Sequence, residues 1–158
     1  MKKIALFLGA AAFLASCTKW ENRPTEEKVA GLWTGVNQEI QIQALPFLDS
    51  SDVMNTASFE ANFMENGGLT IDSAGVRMDS MSWSIKNDTV LVLSGIDLGL
   101  GGGLPGGGTL PGTTLEFDIL KLEETSFVYR YDTTASVALD PNFPAFDIEI
   151  KQIQRWAK

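Results

Sequence analysis

Phe59-Glu60-Ala61-Asn62-Phe63-Met64-Glu65-Asn66-Gly67-Gly68-Leu69-Thr70-Ile71 decides the fold class. Phe59, Ala61 and Phe63 alternate with Glu60 and Asn62, and Leu69 and Ile71 bracket Thr70. Apolar side chains every second residue are the period of a strand with one buried face. Asn66-Gly67-Gly68 between them tolerates the left-handed dihedrals of a tight turn, so the stretch is predicted to be a β-hairpin. The same period continues on both sides. Val36, Ile40 and Ile42 precede it. Met81, Trp83 and Ile85 follow, set against serines, and Val90 to Leu93 is continuously apolar. Leu115, Phe117 and Ile119 oppose Glu116 and Asp118; Phe127, Tyr129 and Tyr131 share a face; Phe146, Ile148 and Ile150 oppose Asp147, Glu149 and Lys151. Eight strands are predicted. A helical turn is expected only ahead of them, with Thr25 as N-cap, Glu26 and Glu27 in the first turn and Gly31 as the stop.

The links between strands set the topology. Asn66-Gly67-Gly68, Lys86-Asn87-Asp88 and Glu123-Glu124 are short and join strands two to three, four to five and six to seven. Ala44 to Thr56, Ser73 to Ser80, Ser94 to Thr114 and Asp132 to Ala145 are read as longer links. In an up-and-down meander alternate links lie at opposite ends, so one end is closed and the other elaborated. The predicted fold is all-β, an eight-stranded antiparallel up-and-down barrel. Closure removes free edges and leaves an interior that side chains or one small ligand can fill. A barrel embedded in the outer membrane has the same alternation. The polar segment after Cys17 and the absence of a terminal aromatic after Trp156-Ala157-Lys158 argue against it.

The N-terminus has the layout of an export signal: Met1-Lys2-Lys3, then an apolar run from Ile4 to Ala15, too short to span a bilayer. Leu14-Ala15-Ser16-Cys17 resembles a bacterial lipobox. That resemblance implies cleavage before Cys17, acylation of its thiol and amine, and attachment to the outer membrane on its periplasmic face or at the cell surface. The expected organisation is a lipoprotein signal peptide over 1–16, a lipidated cysteine and polar tether over 17–24, and one barrel domain over 25–158. Cys17 is the chain's one cysteine, so no internal disulfide can form.

Composition narrows the chemistry. Lys and Arg number 12 against 20 Asp and Glu, a net charge of −8, which disfavours nucleic acid and anionic lipid surfaces as partners. There is no histidine, and with it goes the commonest general base and metal ligand. Gly101 to Gly106 formally fits G-x-G-x-x-G, yet no helix pattern follows and no lysine stands near. The run from Gly99 to Gly112 is read instead as a loop at the barrel mouth, a candidate lid. Asp49, Asp52, Asp72 and Asp79 are expected near the open end without the alternating pattern of a calcium loop. No catalytic residue, cofactor or metal is expected.

Gly31-Leu32-Trp33 at the head of the first strand resembles the Gly-x-Trp signature of lipocalins, and the domain resembles the lipocalin-like lipoproteins of Bacteroidetes. The resemblance implies that Trp33 lies under the closed end with an arginine of the last strand, Arg155, packed across it. Trp33 has the opposite parity to Val36 and Ile40, so a bulge must intervene if all three face inward. Trp83, Phe117, Phe127, Tyr129 and Phe146 share the inward parity and are the candidate ligand-binding set; a core filled by these same side chains is the other reading. Asp72-Ser73-Ala74, Asp79-Ser80-Met81, Asp88-Thr89-Val90 and Asp132-Thr133-Thr134 resemble the O-glycosylation sequence of exported Bacteroidetes proteins, making Ser73, Ser80, Thr89 and Thr133 candidates, although Asp beside Ser or Thr is also ordinary turn chemistry. The expected function is non-covalent binding of a small apolar or amphiphilic ligand, neutral or cationic given the acidic surroundings. The alternative is a solid barrel that docks another envelope protein through its long links.

Overall fold

The computed structural model describes residues 19–44, 48–96, 113–137 and 146–158. The leader, Cys17, the links 45–47 and 138–145, and the Gly-rich run 97–112 lie outside the described residues. A 3₁₀ turn (Trp20–Asn22) and helix α1 (Thr25–Val29) lead into nine strands: β1 (Gly31–Ala44), β2 (Leu48–Asn55), β3 (Phe59–Phe63), β4 (Gly68–Ser73), β5 (Val76–Lys86), β6 (Val90–Ile96), β7 (Thr113–Glu123), β8 (Ser126–Val137) and β9 (Phe146–Ala157). Thr25 begins α1, and Pro24 occupies the cap position without a side-chain cap bond. The Thr25 hydroxyl instead donates to the Asp88 carbonyl of the β5–β6 turn at 3.3 Å, tying the helix across the closed end.

Eight strands close an antiparallel barrel in the order β1-β3-β4-β5-β6-β7-β8-β9, and β9 pairs back onto β1. The ninth, β2, lies inside what the sequence suggests is a long link, Ala44 to Thr56. It pairs with β1 from Asn37 to Ala44, whereas β3 holds the same edge of β1 only from Gly31 to Thr34. The handover falls at Gly35, where an added Cβ would meet the Thr56 carbonyl oxygen at 2.2 Å, so no side chain fits under the crossing backbone. The β4–β5 connection is also shorter than expected. It is a two-residue turn, Ala74-Gly75, with φ of 50° and 80°, the primed geometry that matches strand twist.

Bulges keep the apolar residues facing inward. Opposite β9 the register of β1 shifts between Gly35 and Asn37, so Trp33 and Ile40 both face the lumen despite their opposite parity. Val36 is the extra residue and is turned outward, 43% exposed. This corrects its expected grouping with Ile40. Further shifts fall between Ile71 and Asp72 on β4, opposite β5, and between Ile119 and Lys121 on β7, leaving Met78 and Leu120 exposed. The outer surface carries ion pairs, Lys86 to Glu116 at 2.8 Å and Arg130 to Asp118 at 3.0 Å. A charged exterior around an apolar interior is the reverse of a lipid-embedded barrel, which needs an outward apolar band.

Candidate functional site: the barrel lumen

The lumen has a solid lower half. Trp33, Phe63 and Phe127 are essentially fully buried. Trp33 and Phe127 lie 5.4 Å apart, Phe63 and Phe127 5.9 Å, and Phe63 meets Trp83 edge-on at 5.4 Å, the tilted and edge-to-face arrangements that aromatic quadrupoles favour. Both indoles in this layer are satisfied: Trp33 Nε1 donates to the Val29 carbonyl at 2.7 Å and Trp83 Nε1 to the Met64 carbonyl at 3.0 Å. Trp83 and Phe127 therefore belong to the packed core, and neither lines the cavity above it.

Above this layer the barrel holds a cavity of about 280 Å³. The aromatic series climbs from the floor to it through Phe127, Tyr129, Phe117 and Tyr131, with ring centres 5.2 to 5.5 Å apart. Phe59, Ile71, Met81, Leu93, Leu115 and Phe117 make its apolar wall. Facing them, β1 and β9 present amides, Gln38, Gln152 and Gln154, beside Thr56. Gln154 and Thr56 are buried, with Gln154 Nε2 3.4 Å from Thr56 Oγ1. Tyr129 and Trp156 line the deeper part and Asp79 the wall nearer the open end. Of the five residues suggested for binding, Phe117 and Tyr129 reach the cavity; Phe146 opens β9, but its side chain lies outside the described residues.

The filled and hollow readings of the lumen thus each describe one half of it. Sequence reasoning missed the amides, because Gln152 and Gln154 look like breaks in an apolar pattern. Their parity with Ile148, Ile150 and Trp156 is the signal that places them inside. A second depression, about 680 Å³, lies against Gln41, Gln43, Asp132, Glu149 and Lys151. Polar groups line it, without a comparable apolar wall.

Electrostatics separates Tyr129 from the rest. Burial pushes its hydroxyl up to about 12, opposed by the neighbouring Trp156 indole N–H. Trp156 is 4% exposed, and its Nε1 stands against the Tyr129 hydroxyl, the neighbour that offsets part of that rise.

The cation under the closed end is Lys158, which corrects the pairing of Trp33 with Arg155. Lys158 Nζ lies 4.4 Å from the Trp33 ring centre and 5.4 Å from that of Trp20. Burial, and secondarily the charge of Arg23, holds this ammonium below the ordinary lysine range. Arg155 points outward because Gln154 and Trp156, its neighbours on β9, face in. Its guanidinium donates to Asn37 Oδ1 at 2.9 Å and Glu39 Oε2 at 3.0 Å. That bond, and secondarily the one from Gln41, holds the Glu39 carboxyl below the usual carboxylate range. Trp20 belongs to the segment read as tether, so its far end is seated on the barrel.

Of the candidate glycosylation positions, Ser80 and Thr89 are exposed, and Ser73 and Thr133 are half-buried at the open end. The Thr89 hydroxyl donates to the Asn87 carbonyl at 3.3 Å. Among the described residues no group of three or more metal-ligating side chains converges. Asp72 is instead paired with Arg77 across the β4–β5 turn. Comparison with protein-family models, curated proteins and solved structures found no match.

Proposed function

We propose that this chain is a lipid-anchored, lipocalin-like protein of the bacterial cell envelope that sequesters a small apolar or amphiphilic molecule in its barrel, without a covalent step. The observation that carries the reading is the cavity of about 280 Å³, walled by aliphatic and aromatic side chains over a packed aromatic floor. Its size is near the lower end of ligand pockets, which run from about 300 to 1,000 Å³. The Leu14-Ala15-Ser16-Cys17 motif supports anchoring, and the charged exterior supports a barrel that stands in water. A filling substitution, Leu115→Trp, tests the reading. It is expected to abolish retention of any ligand taken from envelope extract while the barrel still unfolds cooperatively; unchanged retention would place the ligand elsewhere. For the anchor, radiolabelled palmitate should enter the wild-type chain and not Cys17→Ser.

A second reading, docking to another envelope protein, is favoured by one observation. Strand β2 is exposed along its whole length, with Val53 59% and Leu48 45% exposed and its outer edge unpaired among the described residues. Unpaired edges receive partner strands. Asp52 partly blunts this one by accepting the Val53 amide on its own Oδ1 at 2.9 Å. Val53→Lys should abolish pull-down of an envelope partner if docking is the function, and leave it unaltered if β2 is only a brace for β1.

A further inference from the structure

The chain between the acylation motif and the barrel has its far end fixed at one place. Trp20 is half-buried, with Lys158 Nζ 5.4 Å from its ring centre, and the Lys158 amide donates to the Thr125 carbonyl of the β7–β8 turn at 3.4 Å. The 3₁₀ turn is closed by the Asn22 amide, which donates to the Lys19 carbonyl at 2.9 Å, and Lys28 of α1 donates to the Glu21 carbonyl at 3.1 Å. Lys19 is therefore seated at the closed end. Between it and Cys17 stands only Thr18. Two residue steps reach at most about 7 Å. Strand β8, by contrast, is 12 residues long and carries the barrel wall roughly 25 to 30 Å to the open end at the usual rise and tilt. Charge follows the same axis. At the closed end Lys19, Arg23, Lys28 and Lys158 interleave with Glu21, Glu26, Glu27 and Glu124, close to balance. Towards the open end Asp49, Asp52, Asp132, Asp147 and Glu149 outnumber Arg77 and Lys151. An anionic headgroup layer repels that acidic rim and tolerates the balanced end.

We propose that the closed end is a lipid-facing surface: the seat of Trp20 on Lys158 holds this end against the headgroups and the lumen opens away from the membrane, an inference that rests on acylation of Cys17. A guest then enters from the aqueous side and does not pass laterally out of the bilayer into the mouth. The exposed edge of β2, which runs from the open end downward, likewise faces water and not lipid.

Single-cysteine variants of the full chain, acylated in cells and labelled with a maleimide fluorophore, test this. Cys17 is the chain's one cysteine, so once it is acylated an introduced thiol is the sole target of the dye. Glu65→Cys and Glu124→Cys place the dye on exposed closed-end turns; Ser50→Cys and Thr134→Cys place it at exposed positions of β2 and β8 near the open end. The proteins are inserted into vesicles of phosphatidylethanolamine and phosphatidylglycerol that contain a lipid with a nitroxide on its headgroup. Quenching of the two closed-end dyes is expected to exceed that of the two open-end dyes at least about threefold, since the nitroxide acts over distances well below the barrel height. Trp20→Ala frees the chain as far as Pro24, a reach of about 25 Å. It should remove most of the difference while the urea midpoint stays near that of the wild type. Equal quenching at the two ends, stronger quenching at the open end, or no change with Trp20→Ala overturns the orientation. The wild-type chain separates the two claims. If it takes no dye and stays with the vesicles while the two ends quench alike, the anchor stands and the orientation alone falls; if Cys17 itself takes the dye, its thiol is free and both fall.

Discussion

Tyr129 stands where the filled half of the barrel meets the open half, packed 5.2 Å from both Phe127 and Phe117. Its ring is core and its hydroxyl belongs to the site. Because burial raises the folded value to about 12 from 10.0, the fold favours the neutral phenol. Its contribution to stability is therefore complete below pH 10 and is lost as pH rises towards the folded value. Full loss amounts to about 2 to 3 kcal/mol. The chain has two tyrosines, so Tyr131→Phe isolates the signal. Phenolate absorbance in that variant should stay low until well above pH 10, and Tyr129→Phe should flatten the alkaline fall in stability. At the closed end, Lys158→Met removes the cation between Trp20 and Trp33 and keeps its stem, with an expected loss of about 1 kcal/mol in urea unfolding. Arg155→Met should leave the Lys158–Trp33 coupling, measured by a double-mutant cycle, unchanged.

Among the elements, β1 carries the most constraints. It pairs with β3, β2 and β9 in turn, and Gly35 is the point where all three assignments meet. Gly35→Ala forces a methyl group against the Thr56 backbone and should destabilise the barrel by about 2 to 3 kcal/mol, read as a lower urea midpoint with an unchanged slope. Strand β2 should behave oppositely. Its residues are exposed on both faces, and the barrel closes without it, through β1 and β9. Amide exchange over Leu48–Asn55 is expected to be far faster than over β8 and β9, by local opening; protection equal to the core would mean that β2 belongs to the cooperative unit. The exposure of β2 also explains why it was illegible. A strand with neither face buried has no alternation to display, and Leu48-Asp49-Ser50-Ser51-Asp52 reads as a loop. The β4–β5 turn was hidden for a related reason, since the bulge at Met78 breaks the period where the hairpin begins.

At the scale of the whole molecule, eight strands and the closed end could be read from sequence because each has one dry face and tight links such as Asn66-Gly67. The bulges could not, apart from the one required by Trp33 and Ile40, because an extra residue changes parity without changing composition. For the cavity, parity alone pointed to Phe117 and Tyr129, which line its wall. It also drew in Trp83 and Phe127, because it reports inward direction and says nothing about depth. Depth decides between core and cavity, and it emerges only from register: Phe127 is paired with Trp156 near the floor, Tyr129 with Gln154 one layer above. The same register brings the lumenal amides and Asp79 opposite an apolar wall, which is why the barrel is read as a receptacle. Native mass spectrometry tests that most directly, on the chain beginning at Thr18 after exposure to envelope extract. The account predicts a reproducible extra mass, released on denaturation and absent from Leu115→Trp. A bare polypeptide mass in both would contradict it.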